Sequence, residues 1–318
     1  MPKVSVIMSV FNGGSFLSGA IESILSQSFS DFEFIIINDG STDNSLDTIE
    51  YYAEIDQRIL VVSRENRGIF PSLNEGLKQS TGQYIAIVDA DDVSDSRRLS
   101  IQSRYLDDNY RCCVVGVGLY SDEGNKYWFR RINTPEKCKW GLLFFSTIGH
   151  PGAMLRRSSL VEAGITYDNS YGFGADYKLW CALADIGEIH LINKPLVFYR
   201  RHENAVSTTH RDDQEYARRR IQVEQFKKWL NIELPSPCAS EYKEWAAIVG
   251  ANLFQSVTVL GGFKDVSAIH WAFQEFSARA GWGVFITYFT CCLRRREVLH
   301  CLRLRHLARV LFANLGGG

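Results

Sequence analysis

The sequence has almost no net charge: 35 Lys and Arg residues against 36 Asp and Glu leave a formal −1 over 318 residues. Whole-chain electrostatics therefore give no reason to expect nucleic acid as a partner. A membrane-spanning run is missing too. The nearest candidate, Gly283 to Leu293, falls short of the roughly 18 uninterrupted apolar residues a spanning helix needs. Eight cysteines are present, but none are spaced Cys-x-x-Cys and no Cys/His set has zinc-ligand spacing. Reduced thiols in a cytoplasmic chain are the expectation. The apolar run Val4 to Val10 stops at Phe11-Asn12-Gly13-Gly14 without a small-residue cleavage site, so it reads as a buried strand and not as a signal peptide. No Gly-x-Gly-x-x-Gly follows that strand and no Walker lysine motif occurs, which disfavours dinucleotide and ATP sites.

What is present is an alternation. After the first strand, Phe16, Leu17, Ala20, Ile21, Ile24 and Leu25 recur at helical spacing. Phe32 to Ile37 is a second buried-strand pattern, and Asp39-Gly40-Ser41-Thr42-Asp43 supplies turn and capping residues for a helix running towards Ile55. Ile59 to Ser63, Phe70 to Gln79 and Tyr84 to Val88 continue as strand, helix and strand. Repeated strand–helix units predict a parallel sheet covered on both faces, with ligands at the carboxyl ends of the strands. Further on, Cys112 to Val117, Lys126 to Arg131 and Ile189 to Tyr199 read as strands, and Lys139 to Phe145 and Ala175 to Ile186 as helices. From about Asp212 the pattern is mainly helical, broken at Pro235-Ser236-Pro237 and Gly261-Gly262. The expected organisation is an α/β domain over residues 1–211, with a nucleotide-binding half (1–110) and an acceptor-side half (111–211), followed by a helical extension (212–318).

Chemistry concentrates at the ends of the early strands. Ile85-Ala86-Ile87-Val88-Asp89-Ala90-Asp91-Asp92 is an apolar strand that ends in three carboxylates. Such charge calls for a cation, and a hard Mg2+ or Mn2+ ion would bridge carboxylate to phosphate oxygens. The same residues also fit a turn that caps a helix starting near Ser94. In the first loop, Ser9-Val10-Phe11-Asn12-Gly13 sets an aromatic ring among small polar groups, suited to stacking on a nucleobase or to packing in the core. Asp39, ending the second strand, is either an acceptor for a pyrimidine N–H or a helix cap.

The order of these pieces carries a resemblance. Val4-Ser5-Val6-Ile7-Met8-Ser9-Val10-Phe11-Asn12, Ile37-Asn38-Asp39-Gly40-Ser41-Thr42-Asp43 and Val88-Asp89-Ala90-Asp91-Asp92, taken together, resemble a family 2 glycosyltransferase of the GT-A fold, over Pro2 to about Ser207. The resemblance implies an inverting enzyme that takes a sugar from a nucleotide diphosphate, UDP foremost, to an acceptor hydroxyl. It implies that Ser9, Phe11 and Asp39 lie at the nucleobase end, Asp89 is the ribose-side acid of a DxD motif, and Asp91 is a metal ligand. Asn38 stands where many relatives carry aspartate. Asn66-Arg67-Gly68 and Asn74 match a donor-side segment in which Arg67 either approaches phosphate or is a solvated surface charge. Gly172-Phe173-Gly174-Ala175-Asp176-Tyr177 resembles the family's glutamate-aspartate motif, with alanine in place of the glutamate and Asp176 as general base. His202, in Tyr199-Arg200-Arg201-His202, resembles the histidine that completes the metal site, and Arg200 and Arg201 either neutralise a departing diphosphate or are solvated. A single histidine such as His150 is by itself a core or surface residue.

The extension carries Arg218-Arg219-Arg220 and a second basic stretch from Arg294 to Arg309 interleaved with Val298, Leu299, Leu302, Leu304, Leu307 and Val310. This pattern suits either an anionic membrane surface presenting a lipid-linked acceptor or a helix docked on the catalytic domain. Two rival functions remain. Asp89-Ala90-Asp91-Asp92-Val93 also fits the motif of haloacid dehalogenase-like phosphatases, although that motif follows a first strand and here three strands precede it. A non-catalytic nucleotide-sugar or glycan-binding module would keep the fold without turnover.

Overall fold

A computed structural model describes residues 1–121, 132–203, 205–237, Trp245 and Val249. The expected strand at Lys126 to Arg131 and the basic stretch Arg294 to Arg309 lie outside the described residues. The chain divides into two units, Met1–Gln222 and Val223–Gly318. The first unit runs β1 (Val4–Val10), α1 (Leu17–Leu25), β2 (Phe32–Asp39), α2 (Ser45–Ile55), β3 (Ile59–Arg64), α3 (Ile69–Gln79), β4 (Tyr84–Asp89), β5 (Val93–Ser94), α4 (Arg98–Asp108) and β6 (Cys112–Tyr120). It continues with α5 (Pro135–Gly141), β7 (Met154–Arg156), α6 (Arg157–Ala163), α7 (Ala175–Ile186), β8 (Glu188–Phe198), α8 (Val206–Thr209) and the start of α9 (Arg211–Leu230). Among the described residues no helix is long and apolar enough to cross a membrane.

The strands form one sheet in the order β3-β2-β1-β4-β7-β6-β8-β5. β3, β2, β1 and β4 pair parallel, and β6 pairs parallel with β8. β7 joins these two halves by running antiparallel to both β4 and β6. Alternation along the strands explains the layers. Val4, Val6, Met8 and Val10 of β1 pack with Phe34 and Ile36 of β2 and Ala86 and Val88 of β4 beneath Leu17, Ile21, Ile24 and Leu99 of α1 and α4. Ile7 faces the opposite way, where Gly76 of α3 sits so close that a Cβ there would lie 2.5 Å from the Ile7 methyl. Side chains two apart on a strand share a face, so an uninterrupted apolar run serves helices on both sides.

The expected helix at Lys139 to Phe145 is observed four residues earlier. Thr134 caps it by accepting from the Lys137 amide at 3.3 Å, and Pro135 occupies its first turn. Both are ordinary start signals that the apolar periodicity of Trp140 to Phe145 outweighed.

Candidate active site

Parallel register places the key residues on one edge. Ser9 of β1 pairs with Asp89 of β4, Val10 with Asn38, and Asp39 with Arg64. Beyond Asp89 the chain turns at once, and carboxylate oxygens of Asp89, Asp91 and Asp92 all lie within 4.8 Å of one another. Two of the three are held by the segment that follows β8. The Asp91 Oδ2 pairs with His202 Nε2 at 2.9 Å, and Asp92 Oδ1 accepts the Arg200 amide at 2.9 Å. Phe16 packs behind this segment, its ring 4.9 Å from the His202 ring and 4.5 Å below the Arg200 guanidinium. Asp92 is buried, and its Oδ2 has no hydrogen-bond partner among the described residues.

Crowded acids resist ionisation. Burial first, then the charge of Asp89, pushes Asp91 up, with the His202 hydrogen bond opposing. Asp92 rises well above the usual carboxylate range through burial and the charges of Asp89 and Asp91, against the pull of the Arg200 amide and charge. A cluster of hard oxygen donors with one orphaned buried oxygen fits a divalent cation.

The part of the domain that follows β6 meets this cluster through a histidine. His150 Nδ1 lies 3.2 Å from Asp89 Oδ1, and its Nε2 lies 3.1 Å from the Tyr167 hydroxyl. Asn74 of α3 fixes Tyr167 from below by bonding both its amide and its carbonyl, each at 2.9 Å. Burial opposes the charged form of His150, yet the hydrogen bond and charge of Asp89, with Asp176, raise it overall. Asp176 stands in the first turn of α7, where the helix amides favour a carboxylate. Burial nonetheless pushes its carboxyl above 3.8; the His150 charge opposes this and the Asp89 charge adds to it. His150 and Asp176 thus act on each other's ionisation, and the charge of Asp89 acts on both.

At the other end, Phe11 is 53% exposed, so it is a presented ring and not a core one. Asn12 adopts φ 52°, a left-handed conformation that asparagine tolerates. Its Oδ1 accepts the Thr42 amide at 2.8 Å, while the amides of Asn12, Gly13 and Gly14 donate to Ser41 Oγ, Ser45 Oγ and Asp43 Oδ2 at 3.1, 2.9 and 3.1 Å. The first two loops are thereby laced together. Asp39 is buried and accepts the Arg67 and Gly68 amides at 3.0 and 2.8 Å as well as the Arg64 guanidinium at 2.6 Å. A carboxylate offers about four acceptor sites, and three of those of Asp39 are taken by these donors. Gly40 is required beside it: φ is 72° and a Cβ would meet the Asn66 amide nitrogen at 2.7 Å. The Arg67 residue is exposed at the rim.

A twisted sheet that changes from parallel to antiparallel beside a carboxylate-ended strand, with a second half laid against it, is the GT-A fold of nucleotide-diphospho-sugar transferases. Solved structures agree. The Staphylococcus aureus TarS fragment 1–349, crystallised with UDP-GlcNAc, has a TM-score of 0.58 at 17% identity, covering 87% of this chain and 92% of that one. The mannosyltransferase PcManGT from Pyrobaculum calidifontis, in complex with GDP-Man and Mn2+, has a TM-score of 0.54 at 15% identity, covering 97% and 81%. At these identities the likeness speaks for the fold alone. The glycosyl transferase family 2 profile matches residues 5–163, and the chain belongs to that family. An uncharacterised glycosyltransferase of Haemophilus influenzae is 29% identical over 245 residues, 72% of this chain and 75% of that protein. The chain is a glycosyltransferase, and the phosphatase reading of its aspartates falls.

Proposed function

We propose that the chain is an inverting, divalent-metal-dependent enzyme that moves a sugar from a UDP donor to the hydroxyl of a glycan or lipid-linked acceptor in bacterial-type polysaccharide or lipopolysaccharide assembly. The observation that carries this reading is the convergence of the Asp89, Asp91 and Asp92 oxygens within 4.8 Å, with Asp92 Oδ2 unpartnered. Asp91 and His202 would hold the ion, and Asp89 would face the ribose. When bound, Mn2+ or Mg2+ supplies Lewis-acid neutralisation of the diphosphate. Asp176 accepts the acceptor's proton as its oxygen attacks the anomeric carbon, and the bond to the diphosphate breaks on the opposite face, inverting that centre. Arg200, held over Phe16, adds positive charge where the leaving group develops negative charge. UDP as the carrier is supported by the ligand of TarS, and an acceptor presented at the inner face of the cytoplasmic membrane by the basic, apolar-interleaved residues 294–309.

A thermal-shift screen of UDP-, GDP- and dTDP-sugars, with Mn2+ and with Mg2+, tests the proposal. A ligand selective for the folded state at 100 times its Kd stabilises by about 2.7 kcal/mol. UDP-sugars with metal are expected to raise the melting temperature, and failure of every nucleotide sugar to do so refutes the reading. At the nucleobase end, Phe11→Ala removes a stacking surface worth about 1–3 kcal/mol. The donor KM is expected to rise about 5- to 160-fold with kcat little changed; an unaltered KM would return Phe11 to a mere surface residue.

A further inference from the structure

β4 and β7 pair only as far as Ala86 and Met154, and one more bond, from the Ile87 amide to the Ala153 carbonyl at 3.0 Å, closes the ladder. Past that point the strands part. β4 runs on to Asp89, and the chain leading into β7 bends away through a short 3-10 turn, His150–Gly152. A fork of this kind strands the Ile87 carbonyl in the core, where an unsatisfied group costs about 1–3 kcal/mol.

Arg98, on the first turn of α4, fills the fork. It is wholly buried. Its Nη2 donates to the Ile87 carbonyl at 2.8 Å and to the Ala153 carbonyl at 3.2 Å, its Nη1 to Ser94 Oγ at 3.0 Å, and its Nε to Gln102 Oε1 at 2.9 Å. Gln102, also wholly buried, extends the brace by donating to the Val115 and Gly152 carbonyls at 2.9 and 3.0 Å. Burial draws the guanidinium down to about 10, against the charges of Asp89 and Asp92, so it stays cationic at neutral pH.

We propose that Arg98 is a positioning residue for sugar transfer: its Nη2, held in place by the bonds of Nη1 and Nε, ties the strand end that carries Asp89 to the turn that carries His150. The inference rests on the reading of Asp89 as a donor-binding acid. A lysine would keep the charge, but its single nitrogen cannot reach the two carbonyls, Ser94 Oγ and Gln102 Oε1 at once as the planar fork does. A displacement of about 1 Å at a reacting centre costs about 100-fold in rate.

The test compares Arg98→Lys with Arg98→Met at a temperature where circular dichroism shows each to be fully folded. Long-range 1H–15N spectra of the His150 ring, assigned with His150→Gln, report the contact to Asp89 directly. Arg98→Lys is expected to shift those resonances and lower kcat by about 10- to 100-fold, and Arg98→Met to lower it further. Gln102→Met, which loses the bond to Gly152, is expected to shift the same signals and serves where an Arg98 variant does not fold. A folded Arg98→Lys protein with wild-type His150 signals and kcat within about twofold, or a lowered melting temperature alone, overturns the proposal. So does failure of all three variants to fold, which would make the brace purely structural. If the wild-type enzyme consumes no nucleotide sugar, the functional reading fails while the His150 spectra still decide the role of Arg98.

Discussion

Asp176→Asn is expected to leave the nucleotide sugar bound and to lower kcat by about 10²- to 10⁴-fold, the usual contribution of a positioned base. The amide keeps the shape and the first-turn position of the carboxylate but cannot take a proton. Calorimetric titration with the donor separates the two functions: binding persists and turnover does not. The direction of the pKa shift adds a second signature. Because burial raises the Asp176 carboxyl above 3.8 in the folded chain, activity falls with acid at a higher pH than an exposed aspartate would give. The linkage has a definite sign. A carboxyl raised by folding favours the folded state below 3.8 and loses that contribution as pH climbs through the raised value. The asparagine variant, with nothing to ionise, is therefore expected to melt higher than wild type at neutral pH, a difference that vanishes in acid. Full activity in the variant would remove Asp176 from its role.

Asp91→Asn is expected to raise the half-saturating Mn2+ concentration by at least about 100-fold, since loss of a partner one shell further out already costs 10- to 100-fold. The change deletes a charge from a cluster in which Asp91 is raised by burial and by Asp89, and it breaks the pair with His202 at 2.9 Å. Titrating UDP and Mn2+ together by calorimetry reads the effect without turnover. An unchanged metal dependence would mean that the ion is held elsewhere or not required.

Much of this arrangement was legible in the residues. The run Ile85 to Asp92 announces both the central strand and its acidic end, because an uninterrupted apolar segment can only stop in carboxylates where the core stops. Helix α7 matches its expectation, Ala175 to Ile186, residue for residue. What escaped is whatever depends on contact between distant segments. β7 has three residues, too few for any periodicity to register, although it joins the two halves of the sheet. His150 looks like any single histidine until the turn that carries it is seen against Asp89. Arg98 is misread most easily, since an arginine beside Arg97 at a helix start suggests a solvated pair, and only the parting of two strands shows why one of them lies wholly inside.

The lacing of the first two loops, with the amides of Asn12, Gly13 and Gly14 tied to Ser41, Ser45 and Asp43, bears on how tightly a donor is gripped. Loops that must be frozen on arrival subtract from affinity. If these loops seat the heterocycle as proposed, that seat is already stiff, its disorder surrendered when the chain folded. One flat ring and a few well-aimed groups then suffice to register an incoming nucleotide.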